Sequence, residues 1–357
     1  MKRLLLLVFL VGLFSGKASA QEADSSSTTF FPLPVVFFTP ETRLGFGAFA
    51  FFSWRFEDES KDSRPSQFQL GAAYTLEDQI LAYLPFQLWW KDEQYSVFGE
   101  VGWYRYNYFF FGIGNDQPED FEELYGVDFP RIRLSAMKEV SNNFYLGGRF
   151  IMDDFTITDL DAEGQLANTE ISGNDGGLNT GLGVLFNYDN RDNYFESYKG
   201  WYAEFTIDRH GGYTGSDFDY TRLRLDVRHF YEFSPKDHLA ARFFSESIDG
   251  EAPFISQALL GGVRLMRGFY EGRYRDDNSA VIQAEYRRKL FWRIGAVAFG
   301  ATGMVAPEYG QLSLSNLRYT YGAGLRFAID PEDRINIRLD VGVGEEPNFY
   351  LTIGESF

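Results

Sequence analysis

The chain has 357 residues, a formal net charge of -18, 18% aromatic residues and no cysteine. Without cysteine there is no disulfide framework, thiolate metal site or cysteine nucleophile, and His210, His229 and His238, the only histidines, argue against a multi-histidine metal enzyme. The acidic balance argues against a nucleic-acid partner, and after residue 20 no apolar run reaches the ~18 residues of a membrane helix.

The first twenty residues read as a signal peptide. Lys2 and Arg3 form a basic start, residues 4–14 an apolar stretch, and Ala18-Ser19-Ala20 a small-residue cleavage site before Gln21. Residues 21–42 read as a short periplasmic N-terminal segment, polar at first, then aromatic with Pro32, Pro34 and Pro40. From residue 43 to 357 the pattern is period-2 alternation, the mark of strands. Leu223, Leu225, Val227, Tyr231 and Phe233 share one face and Arg222, Arg224, Asp226 and Arg228 the other; Ile335, Ile337, Leu339 and Val341 alternate with Asn336, Arg338 and Asp340.

A soluble sandwich also alternates. Here the segments approach the ~10 residues of a tilted membrane strand. Aromatics such as Trp201, Tyr231, Phe233, Phe291 and Trp292 also collect at segment ends, as in a membrane-interface girdle. The predicted fold is all-β, a transmembrane antiparallel β-barrel, because lipid leaves no other β solution for backbone hydrogen bonding. Fifteen strand cores are visible between residues 44–56 and 349–357. Both ends facing the periplasm require an even number, so sixteen are expected, with the missing strand placed within 107–129. Short connections at 141–143, 234–237 and 332–334 fit periplasmic turns, and long ones at 159–177, 249–278 and 307–318 fit extracellular loops.

The connection of about 30 residues at 249–278 is far above ordinary loop length. It contains Arg267-Gly268-Phe269, then Arg273, Arg275, Asp276 and Asp277, and leads into a strand with Glu285-Tyr286-Arg287. This run resembles the inward-folded sixth extracellular loop of the bacterial surface antigen family, within the BamA/TamA superfamily of outer-membrane assembly barrels. Gly181-Leu182-Gly183 with 188–193 and Gly200 is similar to the family's mid-barrel strand and turn, and 321–327 with Arg338-Leu339-Asp340 to its final strands. The resemblance implies that Arg267 is buried against the inner wall, with Phe269 filling space beside it. The alternative is that Arg267 only pins a plug. The family often places an acid two residues after an aromatic on a later strand. Here that aromatic is Phe299 and the acid position holds Ala301, which leaves Glu285 or Asp340 as lumen partners. Phe349, Leu351, Ile353 and the terminal Phe357 share one parity, as in the C-terminal signal read by the barrel assembly machinery; Glu355 departs from it. The segment before the barrel is too short for a POTRA module, so the resemblance is to a short member lacking them.

No catalytic constellation is indicated, and no enzyme activity, metal or cofactor is expected. His210 at a strand end is the one tempting position, but no partner for it is indicated, and His229 and His238 read as structural. The acidic stretches 57–59, 116–123 and 345–346 read as solvated faces rather than cation sites. Expected partners are outer-membrane lipid, lipopolysaccharide, the barrel assembly machinery during biogenesis, and an envelope protein partner. Three functions stay open: assisting assembly or transport of outer-membrane components, a passive solute channel, and an accessory subunit of an envelope complex.

Overall fold

A computed structural model describes residues 28–39, 43–60, 63–118, 120–345 and 347–357. The expected signal peptide and most of the polar lead lie outside the described residues. The strands are β1 (Thr29–Thr39), β2 (Arg43–Trp54), β3 (Ser66–Thr75), β4 (Ile80–Trp90), β5 (Tyr95–Phe110), β6 (Glu123–Ser141), β7 (Phe144–Thr158), β8 (Gly177–Asp189) and β9 (Gly200–His210). They continue as β10 (Asp219–Ser234), β11 (Asp237–Glu251), β12 (Ala258–Leu260), β13 (Tyr274–Asp276), β14 (Asn278–Phe291), β15 (Ile294–Ala306), β16 (Arg318–Asp330), β17 (Ile335–Val343) and β18 (Pro347–Ile353). Sixteen form one sheet in chain order, each antiparallel to the next; β12 and β13 pair with each other inside the sixth loop, and β11 pairs directly with β14.

The alternation resolves inside-out. On β10, Arg222 and Asp226 are buried while Leu223, Tyr231 and Phe233 are exposed, and on β8 Leu182, Val184 and Phe186 are exposed opposite buried Asn179 and Asn187. A water-soluble sandwich would do the reverse; a sheet in lipid with a polar lumen does this. The curled sheet is tied across its interior, for example by Arg64 to Asp189 at 2.6 Å and Arg55 to Asp333 at 3.2 Å. The upper interior is apolar: Phe110, Tyr125, Phe155, Leu166, Tyr220 and Phe254 pack into one buried cluster from wall and loops.

Three expectations change. The sixteenth strand is not within 107–129. Those residues extend β5 and β6 into one long hairpin, with register running from Tyr95↔Lys138 to Phe110↔Glu123. The extra strand is β1, within the segment expected to precede the barrel, so the sheet starts at Thr29 rather than at 43. Pro32 and Pro34 hid it, since proline normally breaks a ladder. The β1–β2 ladder nevertheless runs unbroken through Pro32↔Ala50 and Pro34↔Ala48. That requires both proline nitrogens, which lack a proton, to face away from β2. Finally, the last strand stops at Ile353. Gly354 has φ +83 and the chain turns inward, so Phe357 is buried against Phe230 and Ala240 instead of ending a strand on the outer face.

Candidate functional site

The sixth loop enters the lumen through the β12–β13 pair, whose Leu260 and Tyr274 join Phe244, Met266, Phe269, Val281 and Val305 in a buried cluster. This apolar base sets the Arg267-Gly268-Phe269 tip against the inner wall of β14 to β18. Arg267 and its partners are buried, Arg267 at 2% exposure and Glu285 and Asp340 at 0%. The guanidinium donates through one nitrogen to Glu285 on β14 and through another to Asp340 on β17, and it lies 3.6 Å above the centroid of the Phe299 ring on β15. Ala301, at the position where the resemblance places an acid, packs beside the apolar cluster instead.

The two carboxylates are shared within a wider network. Glu285 also accepts from Arg287 at 2.8 Å, and Asp340 from Arg326 at 2.6 Å. Arg326 donates in turn to Glu355 at 2.9 Å. Removing any one member strands charge in a low-dielectric space, where breaking a buried pair costs about 3–5 kcal/mol.

The backbone of the tip is as specific as its charge. Met266 has φ +51 and Gly268 φ +121. A Cβ on Gly268 would stand 2.6 Å from the Val343 carbonyl carbon. Gly342 on β17 and Gly344 just beyond it, on the parity of Asp340, make the room: a Cβ on Gly342 would meet the Arg267 carbonyl at 2.7 Å. β18 then grips the tip from below. The Gly268 amide donates to the Tyr350 hydroxyl at 2.9 Å, and the Asn348 side-chain amide donates to the Gly268 carbonyl at 2.9 Å. Sequence reading missed Tyr350, Asn348 and the paired glycines, although alternate glycines just after a lumen-facing acid were a visible sign of a close backbone approach.

Of the C-terminal residues singled out, Phe349, Leu351 and Ile353 lie on the lipid side of β18, and Phe357 lies inside. A main-chain carboxylate oxygen of Phe357 accepts from Arg287 at 3.0 Å, and Ser356 donates to the Val263 carbonyl of the sixth loop at 3.2 Å. Glu355 breaks the apolar parity because it faces the lumen arginines. The remaining candidates are used structurally. His210 stacks on Tyr220 at 4.3 Å, and neither ring nitrogen has a protein partner among the described residues. His229 stacks on Trp201 at 4.0 Å. Of the acidic stretches, Glu59 accepts from the Asp92 amide at 2.7 Å, and Glu345 holds Arg273 and the Tyr274 hydroxyl at 2.8 and 2.7 Å.

The Omp85 superfamily domain matches residues 13–357. The chain belongs to the Omp85 superfamily. Among solved structures the chain is similar to CdiB from Escherichia coli, with a TM-score of 0.61 and 12% identity, over 91% of this chain and 61% of that one. It is also similar to BamA from Haemophilus ducreyi lacking POTRA domains 1-3, with a TM-score of 0.55 and 13% identity, over 92% of this chain and 69% of that one. CdiB from Acinetobacter baumannii gives 0.54 and 12%, over 90% of this chain and 56% of that one. This chain thus spans less than two thirds of either CdiB, and at these identities the likeness is one of fold. No curated protein matches the sequence significantly. As an Omp85 barrel the chain resides in the bacterial outer membrane, and lipid is the solvent for its exposed leucines and phenylalanines.

Proposed function

We propose that this Omp85 barrel assists the assembly or transport of outer-membrane components by offering them an openable edge rather than a pore. The carrying observation is the seam: among the described residues no ladder joins β1 to β18, while every other neighbouring pair of the sheet is laddered. The edge is chemically blunted. Pro32 and Pro34 turn nitrogens without protons toward it, so β1 presents fewer donors to the last strand. β18 is only seven residues long, and the chain leaves the sheet at Gly354. A closed barrel in lipid satisfies its edges by mutual pairing; here that pairing is short of donors on one side and short of residues on the other.

A passive channel fits less well, because the sixth loop and the upper aromatic cluster fill the lumen. In this reading Phe349, Leu351 and Ile353 present the assembly signal to the barrel assembly machinery, and lipopolysaccharide and phospholipid contact the outer wall. The test exploits the absence of native cysteine. Phe30→Cys on β1 and Ile353→Cys on β18 would lock the seam by a disulfide. In cells that depend on the protein, the oxidised double variant should reproduce the deletion phenotype and reductant should relieve it. Normal growth and envelope composition with the seam locked would contradict the proposal.

A further inference from the structure

A second polar site lies away from the sixth-loop tip, at the periplasmic mouth. A cavity of about 170 Å³ opens there beneath the β14–β15 turn. Six cationic side chains line it, Arg287, Arg288, Lys289, Arg293, Arg326 and Arg334, against one carboxylate, Glu196. Several of these cations are neutralised from outside the cavity: Arg288 by Asp237, Arg334 by Asp192, and Arg287 and Arg326 by Glu285, Asp340 and Glu355. Glu196 is itself engaged by Asn336 at 3.0 Å and by the Tyr198 hydroxyl at 3.2 Å. Burial works against its charge, but His238, Arg287 and Asn336 outweigh that and hold its carboxyl below the usual carboxylate range.

Two of the six cations, Lys289 and Arg293, are left over from this pairing. Lys289 rests on the Tyr198 ring at 4.3 Å, and Arg293 donates only to the Ala328 and Ile329 carbonyls; neither has a carboxylate partner among the described residues. Behind them, Nη1 of Arg287 and Nη2 of Arg326 are buried without an acceptor among the described residues, on side chains 2% and 5% exposed. Buried guanidinium protons call for oxygen acceptors, and clustered guanidinium and ammonium groups suit a phosphate's several oxygens.

The rim adds an apolar element. The turn places Trp292 at φ +49, a conformation that the equivalent β6–β7 turn gives to Asn143 at φ +62. Asparagine adopts this region readily and a bulky aromatic does not. The strained Trp292 is nevertheless 81% exposed, beside Leu290 and Phe291, also exposed, at the level where aromatic side chains meet the lipid interface. Basic groups behind interfacial aromatics are the arrangement that recognises an anionic headgroup.

We propose that this mouth cavity binds a phosphate group, held by Lys289 and Arg293 with the guanidinium groups of Arg287 and Arg326 behind them. The phosphate is either the headgroup of an inner-leaflet phospholipid or a free ion from the periplasm, and Trp292 distinguishes the two because only a lipid places chains against it. Calorimetric titration of the detergent-solubilised full chain tests this with three probes: dihexanoyl phosphatidylglycerol, dihexanoylglycerol without phosphate, and inorganic phosphate. The lipid phosphate or the free phosphate should bind saturably, and Lys289→Ala/Arg293→Ala should weaken it by about tenfold or more, with heat-modifiable folding retained. Weakening of the lipid by Trp292→Ala assigns the site to a phospholipid. Equal phosphate binding with and without Trp292 assigns it to the free ion. Absence of saturable binding by either phosphate probe overturns the proposal. So does equal binding by the double variant, or equal binding of the phosphate-free lipid.

Discussion

Arg267 does two jobs that a lysine cannot combine. Its planar fork reaches Glu285 and Asp340 at once while its face lies on Phe299. Arg267→Ala leaves both carboxylates to Arg287, Arg326 and Arg338 and opens a void over Phe299. The expected result is loss of about 3–5 kcal/mol of loop docking, read as protease sensitivity of the sixth loop and lower abundance of the heat-modifiable form. Arg267→Lys should recover only part of it. Unchanged abundance and protease resistance in Arg267→Ala would remove the tip from the account. Asp276, on the same loop and outside the sixteen wall strands, gives a pH-dependent counterpart. Burial raises its pKa from 3.8 to about 6, against the hydrogen bond from the Asp277 amide, which lowers it by more than the Asp277 charge adds. A carboxyl raised in the folded state stabilises that state below its ordinary pKa, and the contribution is lost as pH rises through about 6. The loop should therefore resist protease better at pH 5 than at pH 8, and Asp276→Asn should flatten that difference. A loop equally resistant at both pH values in the parent protein would contradict the burial of Asp276.

At the scale of elements, the sixth loop, β17 and β18 form one interlocked unit. Gly268→Ala should fail to seat the tip, because the added Cβ meets Val343 and the backbone φ of +121 disfavours any side chain. Tyr350→Phe should weaken it less, by about 1–2 kcal/mol for the hydroxyl's bonds with the Gly268 amide and the Phe269 carbonyl; comparing the protease half-lives of the two variants checks the order. Deleting Phe357 removes the ring buried on Phe230 and moves the terminal carboxylate away from Arg287. Reduced outer-membrane insertion is expected, and normal levels of the truncated chain would count against a role for the C-terminus in assembly. These elements were unequally legible. The wall from β7 to β17 could be read because polar and apolar residues alternate strictly, and the sixth loop because its length and motif stand out. β1 could not, because Pro32 and Pro34 look like breaks until the direction of their nitrogens is known. The inward turn at Gly354 was hidden because a positive φ leaves no trace in an alternation pattern. Glu355 was the clue, a charge that belongs to the lumen.

Across the whole molecule the lumen is divided. From β6 to β17 its wall carries the arginine–carboxylate lattice, including Arg131 and Arg133 on Asp153 and Arg242 on Asp226. From β2 to β4 the inner residues whose burial is described are neutral where buried, among them Phe51, Ser53, Gln67, Thr75 and Trp89. The β3–β4 ladder also lapses between Phe68↔Phe86 and Gly71↔Tyr83, where Pro85 cannot donate. The soft side therefore adjoins the seam and the braced side carries the loop. Amide hydrogen exchange should reflect this, with β2 to β4 exchanging faster than β14 to β17; uniform protection would argue for a wall of even stability. The account rests most on the lumen being closed, so that components reach the membrane through the edge. Single-channel recording of the purified protein in a planar bilayer, wild type beside Arg267→Ala, tests that directly. A closed or briefly flickering wild type that opens in the variant is the predicted result, and a steady, large conductance in the wild type would contradict it.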